Sequence, residues 1–199
     1  MMKSKIVLCI LFLWSCNTNN KKEFVTVKPP QIPNIYVSAA SDKLIIHSDT
    51  VYVENKLFSG FIYELDARSN DTLSKSGYIK GLLSGLTQKW YKKNVLREER
   101  YYLNGAKNGK QIAYWEDGKK KFEFTAQNDA YEGILKEWNV KGDLIHLATF
   151  KNGQEEGTQK MWYDNGKIRA NYIIRNGKRY GLLGTKNCVN VSDSIFIVK

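Results

Sequence analysis

A chain of 199 residues, 42% hydrophobic and 26% charged, has the composition of one folded domain with appendages. Its formal net charge is +11, yet the basic residues are scattered and no run of five or more occurs, so the surplus reads as a basic surface rather than a polybasic tail. Three cysteines, Cys9, Cys16 and Cys188, form neither a disulfide framework nor a metal-spaced cluster. In chain order, residues 1–5 carry Lys3 and Lys5, and residues 6–13 are an apolar run. That run is shorter than the roughly 18 residues a spanning helix needs, so residues 1–15 read as a signal peptide.

The stretch "LWSC" then puts Leu13 and the small Ser15 ahead of Cys16, after which "NTNNKKE" turns abruptly polar. This resembles the bacterial lipoprotein lipobox, with Trp14 where a small residue is usual. The resemblance implies cleavage before Cys16, acylation of its thiol and amine, palmitate among the acyl groups, and a lipid anchor in a membrane of the bacterial cell envelope. Several acyl chains anchor stably because each buried CH₂ contributes ~0.8 kcal/mol. No acid precedes Glu23, so removing Lys3 and Lys5 leaves 11 − 2 = +9 on the mature chain. Cys188 is then unpaired and reads either as a buried cysteine or as a reactive thiol. Residues 16–34, polar and holding Pro29, Pro30 and Pro33, have the composition of a flexible tether. The folded domain is expected over residues 35–199.

Within that domain the glycines keep a fixed spacing. Gly85, Gly109, Gly133, Gly157 and Gly181 stand 24 residues apart, and Gly60 precedes Gly85 by 25. Five residues before these glycines come Asn55, Asn104, Asn128, Asn152 and Asn176, with Lys80 before Gly85. Gly81, Gly105, Asp129, Gly153 and Gly177 follow at four before. Five after come Trp90, Tyr114, Trp138 and Trp162, with Leu65 in the first copy. Nine after come Gly118, Gly142 and Gly166, and Asn94 in the second copy. Each repeat holds two short runs rich in β-branched and aromatic residues, such as "GTQKMWY" and "KIRANYII", bounded by Asn-Gly or Asp-Gly turn signals. No stretch carries a helical stripe with caps. The expectation is an all-β fold, an extended twisted antiparallel meander sheet built from tandem β-hairpins. Residues 43–53 suit an N-terminal cap, and residues 185–199 a C-terminal cap with a last strand over 193–199.

The recurring glycine, aromatic pair and Asn-Gly turn resemble the MORN-type repeat over about residues 52–184, six copies of which the first is degenerate. The resemblance implies hairpins laid side by side and is uninformative about activity. On this reading Gly60, Gly85, Gly109, Gly133, Gly157 and Gly181 are structural, placed at strand starts where a missing Cβ permits a bulge or a close approach. The column Trp90, Tyr114, Trp138 and Trp162 is expected on one face, stacked along the sheet. Interleaved with Lys89, Lys110, Lys136 and Lys160, it reads either as packing or as a ligand-binding face for a glycan or anionic polymer.

Catalytic signals are absent from the sequence. No nucleophile elbow and no phosphate loop occurs, because the glycines recur by repeat. Glu98-Glu99 and Glu155-Glu156 read as solvated charge, and His146 as a variable surface position shared with Glu98, Phe122 and Ala170. The expected function is a non-enzymatic envelope lipoprotein whose sheet binds a protein or glycan. The alternative is a module for membrane lipid or polysaccharide surfaces. No cofactor, metal or nucleic acid is expected, the last because export removes the chain from the cytoplasm.

Overall fold

The computed structural model describes residues 30–184. The described residues are all-β, with thirteen strands in one large sheet and three, Leu44–His47, Thr50–Val53 and Lys56–Leu57, in a small one. From Gly60–Leu65 to Lys178–Leu182 the large sheet is an antiparallel meander in chain order, with only the short strand Leu82–Leu83 off the main path. One strand departs from that plan: Tyr36–Ser38 pairs in parallel with Gly60–Leu65, through Tyr36↔Phe61 and Val37↔Ile62. Residues 185–199, Cys16 and Cys188 lie outside the described residues.

The hairpin turns follow from the asparagine column. A type I′ turn needs positive φ at both central residues, and Asn104 and Gly105 have φ 50° and 88°, Asn152 and Gly153 51° and 80°. Asn128-Asp129 makes the same turn without glycine, at 49° and 65°. At the opposite ends of the hairpins, the amide of Trp115 donates to the Lys119 carbonyl and that of Asn139 to Asp143, four residues on. In the first copy Asp66 donates to Asp71, five residues on, so the extra residue in the 25-residue spacing sits in this turn. Asn94, which replaces the turn glycine of the later copies, has φ 57°, a conformation asparagine tolerates better than most residues.

Two kinds of bulge recur along the sheet. Ala113 pairs with Phe122 but Tyr114 with Lys120, leaving Lys121 as an extra residue. The same slip leaves Arg97, Ile145 and Arg169 unpaired, again 24 residues apart. The second bulge falls at Gly109, Gly133 and Gly157. Lys107 pairs with Tyr102 and Gln111 with Arg100, so residues 108–110 oppose Tyr101 alone, with Gly109 at φ 98° inside the strand Ala106–Tyr114. Residues 156–158 likewise oppose Thr149, with Gly157 at φ 78°. Gly60 and Gly85 begin their strands as expected, whereas Gly109, Gly133, Gly157 and Gly181 stand within theirs, in a left-handed backbone that glycine adopts without strain.

Residues paired in register share a face, and one face is the core. It carries Ile62, Thr87, Gln111, Leu135 and Gln159, each two residues after a ruler glycine, together with Ala126, Ala148, Ala170, Tyr172 and Ile174. Gln111 and Gln159 are 0% exposed. Their amide nitrogens donate to the Tyr101 and Thr149 carbonyls, at 2.9 and 2.8 Å, across the glycine bulge. A glutamine side chain thus supplies the donor where the ladder is interrupted.

The N-terminal cap sits where residues 43–53 suggested. Val51, Phe58 and Ile62 form a cluster flanked by Val37, Leu44, Val53 and Tyr78. Gly81 joins the two sheets, its amide donating to the Phe58 carbonyl (2.7 Å) and its carbonyl accepting from the Val51 amide (2.9 Å).

Candidate functional site

The column Trp90, Tyr114, Trp138 and Trp162 lies at corresponding register positions, but its rings do not stack. Among the described residues the ring pairs beyond the cap are Phe122–Phe124, Phe124–Tyr131 and Tyr131–Phe150, at 5.7, 4.7 and 4.9 Å. The reason is spacing: one repeat advances two strands, about 9.6 Å, beyond the roughly 4.5–7 Å of a ring pair. Burial first, then the charge of Glu99, pushes the Tyr114 phenol up. Tyr114 therefore stands on the face of Glu99, Ile112 and Glu123, opposite Gln111. The interleaved lysines are divided between faces. Lys89 pairs with Glu98 on the core face at 3.0 Å, and Lys136 with Glu123 on the other at 3.7 Å.

The neighbouring column makes the contacts between repeats. The Tyr91 hydroxyl donates to the Tyr114 carbonyl at 3.1 Å, and the Trp115 indole N–H to the Trp138 carbonyl at 3.2 Å. Each ring thus reaches one repeat onward and is held there. Asn139 replaces the ring in the next copy, its Oδ1 accepting the Lys141 and Asp143 amides at 3.0 and 2.9 Å. Tyr163 stands in this column in the copy after. Sequence reasoning singled out the first member of each aromatic pair; the second was visible in the same columns but gave no sign of its hydrogen bond. Tyr91→Phe removes only that bond and should lower stability by about 1 kcal/mol, read as a fall in urea midpoint with unchanged slope.

The bulge residues complete the site. The Arg97 guanidinium lies 5.9 Å from the centre of the Tyr91 ring, and Lys121 Nζ 4.4 Å from that of Trp115. Tyr91, Arg97, Glu98, Ala113, Lys121 and Phe122 line an open hollow of about 350 Å³. Within it, Glu98 contacts Lys89 and Arg100, each at 3.0 Å. Burial alone would raise the Glu98 carboxyl, but the Lys89 hydrogen bond and the Arg100 charge outweigh it and hold it below the usual carboxylate range. Arg97 and Lys121 belong to none of the ion pairs among the described residues. Tyr91 also lines a second hollow of about 400 Å³, together with Trp115, Glu116, Asp117 and Val140.

The remaining titratable groups are placed differently from each other. Glu98 and Glu99 point to opposite faces, Glu99 accepting from Gln88 Nε2 at 2.9 Å. Glu155 accepts from Arg179 Nη2 at 3.1 Å. His146 is half-buried on the core face rather than on a variable surface, with Nδ1 2.9 Å from Glu137 Oε2 and no partner for Nε2 among the described residues. It shares its sheet row with Glu98, Phe122 and Ala170, as their common repeat offset implied. No group of three or more potential metal ligands occurs among the described residues.

No family model matches the sequence, and no curated protein matches it. Among solved structures the chain is similar to part of a mutant of S. aureus TarM, crystallised in complex with fondaparinux, alpha-GlcNAc-glycerol and UDP, at 12% identity and a TM-score of 0.29. The match covers 49% of this chain and 20% of that one, and at this level it carries no inference about fold or activity.

Proposed function

We propose that this chain is a non-enzymatic lipoprotein of the bacterial envelope, anchored through acylated Cys16, whose MORN-type repeat sheet is a binding scaffold for a protein or glycan. The observation that supports the binding role best is the recurrence, 24 residues apart, of a ring held to the next repeat and a bulge cation beside it: Tyr91 with Arg97, then Trp115 with Lys121. Both elements are presented at one end of the hairpins by backbone geometry, which suits recognition of an extended partner. The lipobox-like "LWSC" and the polar tether of residues 16–34 supply the membrane reading. The proposal assigns no catalytic residue, cofactor or nucleic acid.

Cys16→Ser should move the full-length protein from the detergent-released membrane fraction to the soluble fraction. An unchanged membrane fraction would remove the anchor from this reading. A second reading, attachment of the aromatic face to lipid or polysaccharide surfaces, draws on Lys120 Nζ lying 5.7 Å from the Trp138 ring centre. Salt separates the two, since an interaction made by exposed charges weakens as ionic strength rises.

A further inference from the structure

The hollow beside Tyr91 has a more specific chemistry than a general scaffold surface. Its uncharged lining is Tyr91, Ala113, Tyr114 and Phe122, with the Arg100 guanidinium 5.2 Å from the Phe122 ring centre. Four cations stand in or around it, Lys89, Arg97, Arg100 and Lys121, against the single carboxylate Glu98. Glu98 is already occupied by Lys89 and Arg100, so Arg97 and Lys121 are the two cations available to a ligand. Each is an extra residue in a bulge, without a partner in the strand register, and stands over a ring, Arg97 by Tyr91 and Lys121 by Trp115. The Tyr91 hydroxyl is committed to the Tyr114 carbonyl, which fixes the ring, and the Arg97 guanidinium lies 5.9 Å from the ring centre. Such preorganisation reduces the ordering cost of binding.

Beyond Tyr91 the chemistry reverses. The second hollow places Glu116 and Asp117 beside Trp115 and Val140; Asp117 is already paired with Lys119 Nζ at 2.8 Å and accepts the Lys119 amide at 3.0 Å, so Glu116 is the carboxylate outside the ion pairs among the described residues. Ionised carboxylates accept hydrogen bonds and donate none, so this compartment suits a neutral group rich in hydroxyls. Lys119, the cation beside these carboxylates, is already paired with Asp117. A ring shared by a hollow with Arg97 and Lys121 and a hollow with Glu116 fits a chain that alternates acidic and neutral sugars. The C–H face of a pyranose packs on the ring, the carboxylate meets the cations, and the next sugar's hydroxyls meet Glu116 and Asp117.

We infer that the paired hollows around Tyr91 bind an anionic polysaccharide, with an acidic sugar held between Arg97 and Lys121 and a neutral sugar beside Glu116 and Asp117. This rests on the binding-scaffold reading above and names its ligand class and its site. The test uses the full-length protein in detergent, with hyaluronan oligosaccharides as the acidic-neutral probe, polygalacturonate oligosaccharides as the all-acidic probe, and calorimetry as the readout. Saturable binding of hyaluronan is expected. Reducing its carboxylates to alcohols should weaken binding by at least about tenfold, the loss expected when charge-assisted hydrogen bonds disappear. The Arg97→Gln/Lys121→Gln double variant should do the same, whereas Arg169→Gln, at the equivalent bulge two repeats away, should bind normally. Carboxyl reduction needs no variant, so the result does not depend on the double substitution folding. Equal binding of native and reduced oligosaccharide, failure of both acidic probes, or binding to phosphatidylglycerol vesicles alone would each overturn the inference. Loss of glycan binding with Cys16-dependent anchoring and a protein partner intact would remove this ligand and leave the scaffold standing. A chain that neither anchors nor binds any partner would remove both.

Discussion

Gln159→Glu should destabilise the protein by on the order of 3–5 kcal/mol at neutral pH, the range for an uncompensated buried charge, and regain most of that loss in acid. The glutamine is 0% exposed, and its amide donates to the Thr149 carbonyl at 2.8 Å, so the substitution replaces a donor with an acceptor of the same shape. Its cross-strand neighbours, Ala148 and Tyr172, offer no cation. Burial raises a carboxyl pKa because it penalises the charged form. The substituted side chain is therefore protonated in the folded state over a wider pH range than in the unfolded chain. Below the unfolded value of about 4.3 both states are protonated, and the charge penalty vanishes. It grows as pH rises, up to the folded pKa. Urea unfolding of variant and wild type at pH 4 and pH 7.5 measures this as a difference of differences. Gln111→Glu should cost less at pH 7.5, because Arg100 lies directly opposite in register. A pH-independent difference between Gln159→Glu and wild type would show that this position is not sealed from water.

Gly81→Ala should cost about 3 kcal/mol, against about 1 kcal/mol for Gly177→Ala, and the contrast isolates the docking of the cap. Both glycines have left-handed backbones, φ 82° and 71°, for which an L-residue pays about 1–2 kcal/mol. At Gly177 an added Cβ meets nothing within 4 Å. At Gly81 it would stand 2.9 Å from the Val51 carbonyl oxygen and 2.7 Å from Thr50 Cγ2. Backbone cannot swing aside as a side chain can, so the extra methyl must part the small sheet from the large one, and overpacking of this kind costs about 1–3 kcal/mol. Equal losses in the two variants would mean that the Gly81 turn does not carry the cap.

Much of this architecture was legible because it is local. The left-handed backbone at Asn104-Gly105, the turn at Gly118 and the strand-forming runs between them depend on residues within a few positions of one another. The single irregular spacing, Gly60 to Gly85, pointed to an added residue, and it lies in the Asp66–Asp71 turn. The site was less legible because bulges break the alternation that sequence patterns assume. An extra residue at Arg97 or Lys121 shifts every later side chain to the other face of its strand. Counting from the ruler therefore placed Trp90, Tyr114, Trp138 and Trp162 in a column without showing that their rings stand apart, or that Tyr91 and Trp115 bridge the repeats.

The 24-residue period, the hairpin turns and the all-β class follow from the sequence alone, because each rests on the φ preferences of asparagine and glycine and on β-forming runs close together in the chain. Pairing between strands decided the rest. It put a parallel strand, Tyr36–Ser38, beside Gly60–Leu65. It buried Gln111 and Gln159, because their amides answer carbonyls at bulges that exist only once neighbouring strands are aligned. It also set Arg97 and Lys121 beside Tyr91 and Trp115, since a bulge is a property of two strands and neither strand carries it alone.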